Sequence, residues 1–126
     1  MAEGLLKKMA EIRGIELEVS SAGVAALDGY PATQQTIDVM KKEEGVDMSA
    51  HQSRRLTLEM LREADKIFVM ENFQRDWVLE FSPDVKNKVF LLADKDIPDP
   101  IRMPEGFYKN VLGMIHQALE KMVEDL

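Results

Sequence analysis

The 126-residue sequence contains no cysteine. That absence excludes a disulfide, a thiolate nucleophile drawn from these residues and a zinc–thiolate centre. Histidine is nearly absent too, with His51 and His116 far apart in the chain. A histidine-based metal site would need carboxylates to complete it, and no metal or cofactor is expected. No apolar run approaches the roughly 18 residues that a membrane-spanning helix needs. The opening segment mixes Glu3, Lys7, Lys8 and Glu11 into its apolar positions, the pattern of an amphipathic helix rather than a signal peptide. A cytoplasmic location with no membrane partner is the expectation. Basic side chains are outnumbered, 16 Lys and Arg against 23 Asp and Glu, for a net charge of −7. The basic pairs Lys7-Lys8, Lys41-Lys42 and Arg54-Arg55 are scattered, so no nucleic-acid footprint is present.

What is there suits one domain, residues 1–126, with one core: 45% hydrophobic and 31% charged residues, without repeats, low-complexity tracts or a Gly/Ser linker. The pattern predicts a helix over 1–13 with Leu5, Leu6, Met9 and Ile12 on one face, stopped at Gly14. A short strand is expected over Ile15–Ser20, then an irregular stretch to Pro31 with Gly23 at positive φ. A second helix should run over 33–44 with Ile37 and Met40 inward. Thr57 should cap a short helix reaching about Ala64. Lys66–Met70 and Val89–Leu92 are short β-rich apolar runs that read as buried parallel strands. They flank a helix over 71–81, ended by Ser82-Pro83. Residues 93–104 form a proline-rich loop. From Phe107 to the end, Phe107, Val111, Met114, Ile115, Ala118, Leu119, Met122 and Val123 make one helical stripe. Buried strands alternating with helices imply an α/β domain, a parallel sheet covered by helices on both faces.

Several residues could carry chemistry. Asp99, in Asp96-Ile97-Pro98-Asp99-Pro100, follows a buried strand, where open α/β sheets bind ligands. Its carboxyl could protonate a leaving oxygen; read alone, it is more simply a turn residue accepting from backbone amides. Asp94 and Asp96 compete for the same role. Ser21, after the first strand, could support an anion-binding loop or merely turn the chain. His51 beside Ser53 suggests a base and nucleophile, but no third carboxylate is indicated, and a structural hydrogen bond suits His51 better. Arg54 or Arg55 could grip a phosphate, although exposed arginines are more often simply solvated. Asn72 could cap its helix or reach a site at the strand ends, with capping the simpler reading. His116 falls off the apolar stripe and reads as a surface residue. The nine methionines and the aromatics Trp77, Phe81 and Tyr108 read as core or groove.

Taken together, Met1-Ala2-Glu3, Val19-Ser20-Ser21-Ala22-Gly23, the segment from Asp47 to Arg54, Ala64–Met70 and Ile97-Pro98-Asp99-Pro100 resemble the low-molecular-weight protein phosphatases, in order and approximate spacing. The resemblance implies a small doubly wound, Rossmann-like parallel sheet and hydrolysis of a phosphoprotein or small phosphate ester through a phosphocysteine. It makes Asp99 the general acid, and Ser21 and His51 the residues bracing the phosphate loop. In that family a strand and a Cys-x-x-x-x-x-Arg-Ser-Pro loop run straight into Met-Ala-Glu. The expectation is therefore a chain lacking its first strand and its nucleophile, inactive as written. It would be incomplete, or completed by another segment, including self-association at the vacant strand position. The absence of downstream cysteines argues against the arsenate-reductase branch. Val24-Ala25-Ala26-Leu27 and Ile101-Arg102 lack the aromatics of tyrosine-specific members, and the loop with Thr33 is closer to the arginine-phosphatase-like branch. Phosphoarginine is therefore an alternative substrate, and a non-catalytic binding or regulatory module is the alternative role.

Overall fold

Two short parallel strands organise the chain. In the computed structural model, which describes residues 1–125, β1 (Ile67–Val69) pairs with β2 (Val89–Leu91) in the register Ile67↔Val89, Phe68↔Phe90, Val69↔Leu91. Strand alternation sends Ile67, Val69, Val89 and Leu91 to one face, where they join Leu61 and Val78 in one apolar cluster. Helices α3 (Leu58–Glu63) and α4 (Asn72–Phe81) and the 3-10 helix Pro83–Lys88 cover this face. A larger cluster lies on α1 (Ala2–Arg13), α2 (Gln34–Val39), the π-helical turn Met40–Glu44 and α5 (Glu105–Glu124), and the strand exits Met70 and Leu92 pack against it. The result is an α/β domain with helices on both faces of a parallel sheet.

The local chemistry explains the boundaries. Gly14 and Gly45 end their helices at φ 66, a conformation that carries no Cβ penalty for glycine. Thr33 and Thr57 cap α2 and α3 by accepting from the amides three residues on. The stripe on α5 buries Val111, Ile115, Ala118, Leu119 and Val123, with Tyr108 added at its first turn.

Five expectations need correction. Residues 15–20 form no strand: among the described residues no segment pairs with them, and Ile15 N donates to Ala10 O, finishing α1. Gly23 is not at positive φ; that role falls to Gly29 at φ 86. Ile12 is 72% exposed, since the α1 seam against α5 is too narrow to reach it, and Met114 likewise lies at the edge of its stripe. The second helix changes from α to π at Met40, within its expected span. Asn72 does not cap α4. Glu71 does, in a capping box with Gln74. Leu126, the end of the expected last helix, lies outside the described residues. Among the described residues no helix is long and apolar enough to cross a membrane.

Candidate functional site

The loop that follows β2 is anchored at the exit of β1. Ile97 N donates to Met70 O at 2.9 Å, and the Ile97 and Pro100 side chains are buried. Asp96 Oδ1 accepts from Asn72 N at 3.0 Å and from Asn72 Nδ2 at 2.8 Å. This carboxylate sits at the N-terminus of α4, where the helix dipole and free amides favour a negative charge. Asp96 is thus engaged in holding the loop. Asp99 is exposed, and its Oδ1 accepts from Ile101 N at 3.0 Å. That is the short turn contact expected of an aspartate before proline. Arg102 at φ 66 and the Met103 N to Pro100 O bond, 2.9 Å, close the turn.

The charge of Asp99 is felt at the start of α1. The Met1 nitrogen is buried there, which holds its pKa below the ordinary amine value, while the charges of Glu3 and Asp99 act against that burial. Its N-cap residue, Met1, makes no side-chain capping bond, which leaves the amides of the first turn without that partner.

In the first turn of α1, Glu3 is a hub. Ser21 Oγ donates to Glu3 Oε1 at 2.8 Å, Lys7 Nζ donates to Oε2 at 3.1 Å, and His51 Nδ1 lies 3.7 Å from Oε2. Burial pushes the Glu3 carboxyl up, but the bonds from Ser21 and Lys7 and the charges of Lys7 and His51 outweigh it. The pKa falls below the usual value. Ser21 and His51, separated by thirty residues of chain, therefore meet on a carboxylate that sequence reasoning did not single out. Glu3 belongs to the opening motif, but its partners lie 18 and 48 positions away, and no local spacing signals them.

The two loops that bring Ser21 and His51 together are stitched by backbone. Gly23 N donates to Arg54 O and Leu56 N donates to Gly23 O, at 2.9 and 3.0 Å. A Cβ on Gly23 would stand 2.8 Å from the Ala26 side chain, so this tight crossing requires glycine. Ser53 is spent on the same stitching: Oγ bonds Leu27 O and accepts from Tyr30 N. That removes it as a nucleophile paired with His51. Arg54 Nε donates to Ser21 O at 3.4 Å, and Arg55 N to Asp28 Oδ1 at 2.8 Å. Thr33 is engaged with the α2 amide of Thr36 and lies 3.3 Å from the Tyr108 hydroxyl. An open groove runs beside the hub between α1 and the segment Val46–Met48, with His51 and Arg54 on its rim. The first turn of α1 thus carries Glu3 with Ser21, Lys7 and His51 gathered on it, and the charge of the exposed Asp99 is felt at the same end. That arrangement suits an anion at the end of α1 with a proton donor beside it.

A family model described as low molecular weight phosphotyrosine protein phosphatase matches residues 1–126. The chain is 35% identical over 130 residues to the low molecular weight protein-tyrosine-phosphatase Etp of Escherichia coli K12, covering 100% of this chain and 84% of Etp. It is 31% identical over 132 residues to the protein-arginine-phosphatase of Geobacillus stearothermophilus, covering 100% of this chain and 86% of that protein. The crystal structure of the low molecular weight protein tyrosine phosphatase from T. tengcongensis matches with a TM-score of 0.95 at 31% identity, over 99% of this chain and 88% of that one.

Proposed function

Because the chain belongs to the low molecular weight phosphotyrosine protein phosphatase family, we propose that it forms the body of a phosphoprotein phosphatase in which Asp99 is the general acid. Ser21 and His51 hold the phosphate-binding end of α1 through Glu3. What supports this reading is that Ser21 and His51 meet on Glu3 in the first turn of α1, at the end of the helix where the charge of Asp99 is felt. In the reaction, a thiolate attacks phosphorus in line, the P–O bond to the substrate breaks, and Asp99 gives its proton to the departing oxygen. The helix N-terminus offsets the charge on the transferred phosphoryl group. These 126 residues carry no thiol, so the chain by itself turns over no aryl phosphate in this proposal.

Ile101 favours a second substrate reading. Its amide bonds the Asp99 carboxylate and its side chain is 54% exposed. An aliphatic side chain here offers a phenol no stacking face, which removes one preference for phosphotyrosine over phosphoarginine.

The test uses the purified chain, verified by intact mass, and the same chain joined behind a strand and a Cys-x-x-x-x-x-Arg-Ser-Pro loop. The first should leave p-nitrophenyl phosphate intact; the second should hydrolyse it. Asp99→Asn in the joined chain should slow hydrolysis most for poor leaving groups. Equal rates across a leaving-group series would remove Asp99 from the acid role. A folded joined chain without turnover would favour a non-catalytic binding module. Comparing phosphotyrosine with phosphoarginine peptides decides the substrate.

A further inference from the structure

His116, on α5, is held at both ring nitrogens. Nδ1 lies 2.7 Å from Glu44 Oε1, at the last residue of the π-helical turn, and Nε2 lies 2.7 Å from Glu120 Oε1, one turn along α5. Ionised carboxylates only accept, so two such contacts require two N–H donors on one imidazole. Only imidazolium has two; either neutral tautomer would aim a lone pair at a carboxylate. Lys8 completes the cluster from α1: Nζ bonds Glu44 O and lies 3.7 Å from Glu44 Oε2. The neighbouring pair Lys109–Glu43, at 3.5 Å, ties α5 to the same turn. Glu44 is thus the point where α1, the π-helical turn and α5 meet.

We propose that His116, Glu44, Glu120 and Lys8 form a pH-sensitive clasp that closes when His116 is protonated and sets the rigidity of the groove wall Gly45–Met48. The wall begins at the residue after Glu44. Its first amides, Gly45 N and Val46 N, donate back to Lys41 O and Met40 O. The segment lines the groove opposite α1 and leads to His51. When the proton leaves, one carboxylate contact is lost and the other loses its ionic component. Glu120, half exposed, is the contact released to water, and Glu44 keeps a weaker neutral donor. The bond from Glu44 raises the His116 pKa, burial lowers it, and Glu120 raises it further; the net displacement is upward from 6.5. The sign follows: the clasp is fully closed below about pH 6.5, the unfolded value, and opens as pH rises through the folded value. This device stands apart from the phosphatase reading, since none of its groups was assigned to the reaction.

The test is an NMR titration of the His116 ring together with amide hydrogen exchange at Gly45 and Val46 on the 126-residue chain. His116 should titrate above 6.5, and its midpoint should fall in Glu44→Gln and fall less in Glu120→Gln. Protection at Gly45 and Val46, corrected for intrinsic exchange, should drop several-fold between pH 6 and pH 8.5. It should be flat with pH in His116→Gln. Protection unchanged across that range in the wild type, or an equal drop in His116→Gln, overturns the proposal. Glu120→Gln changes an exposed side chain and leaves the core untouched, so its titration decides the matter even if Glu44→Gln fails to fold.

Discussion

Three aspartates share the loop after β2, and their surroundings separate them. Asp96 accepts two bonds from Asn72 and fixes the loop to α4, whereas Asp99 makes one contact to the adjacent turn. Asp96→Ala should therefore cost about 1–2 kcal/mol in urea unfolding, from a lost helix-terminal acceptor and two unmade bonds. Asp99→Ala should stay within about 0.5 kcal/mol. A larger loss for Asp99 would mean that it supports the fold rather than standing free for chemistry. Glu3 gives a second residue-level expectation. Its folded pKa lies below 4.5, so the stability it contributes is present above 4.5 and lost as pH falls through the folded value. Glu3→Gln should lower stability by about 1 kcal/mol at neutral pH. The gap from wild type should shrink between pH 4.5 and pH 3. A gap that stays constant to low pH would assign the loss to packing instead of charge.

At the scale of elements, local pattern carries much of the secondary structure. The α5 stripe, the Thr57 cap and both strands lie where periodicity and β-branching put them, because each depends on neighbours within a turn or two. Two of the failures share a cause. Ile15–Ser20 has the alternation of a strand, but a ladder needs a second chain segment alongside, and alternation carries no information about that. Glu3 as the meeting point of Ser21 and His51 is a long-range fact of the same kind. The π-helical turn has no composition of its own, so its end at Glu44 was legible and the change of helix type was not. Gly45 also gives a clean test. A Cβ there meets nothing within 4 Å, so Gly45→Ala adds no clash and its cost is backbone strain alone, about 1–2 kcal/mol. A neutral effect would show that the turn adjusts without the left-handed residue.

At the scale of the whole molecule, two apolar clusters among the described residues share the pair of strands between them. Leu119, in the larger cluster, and Leu61, in the smaller, are each about 2% exposed or less. Truncating either to alanine should cost about 2–5 kcal/mol, a large part of the roughly 5–15 kcal/mol that a domain of this size has in total. A two-stranded sheet of three-residue strands has too little structure to stand alone, and β1 passes its Val69 to one cluster and its exit residue Met70 to the other. The clusters should therefore lose their order together. Trp77, the one tryptophan, packs against the smaller cluster with Phe81 at a ring separation of 4.9 Å, so its fluorescence reports that side of the sheet. Circular dichroism is weighted toward α5, the longest helix, on the other side. In Leu119→Ala, a substitution remote from Trp77, the fluorescence and dichroism midpoints should both move down in urea by the same amount. If the Trp77 transition held its wild-type midpoint while the helical signal fell, the strands would not couple the two faces.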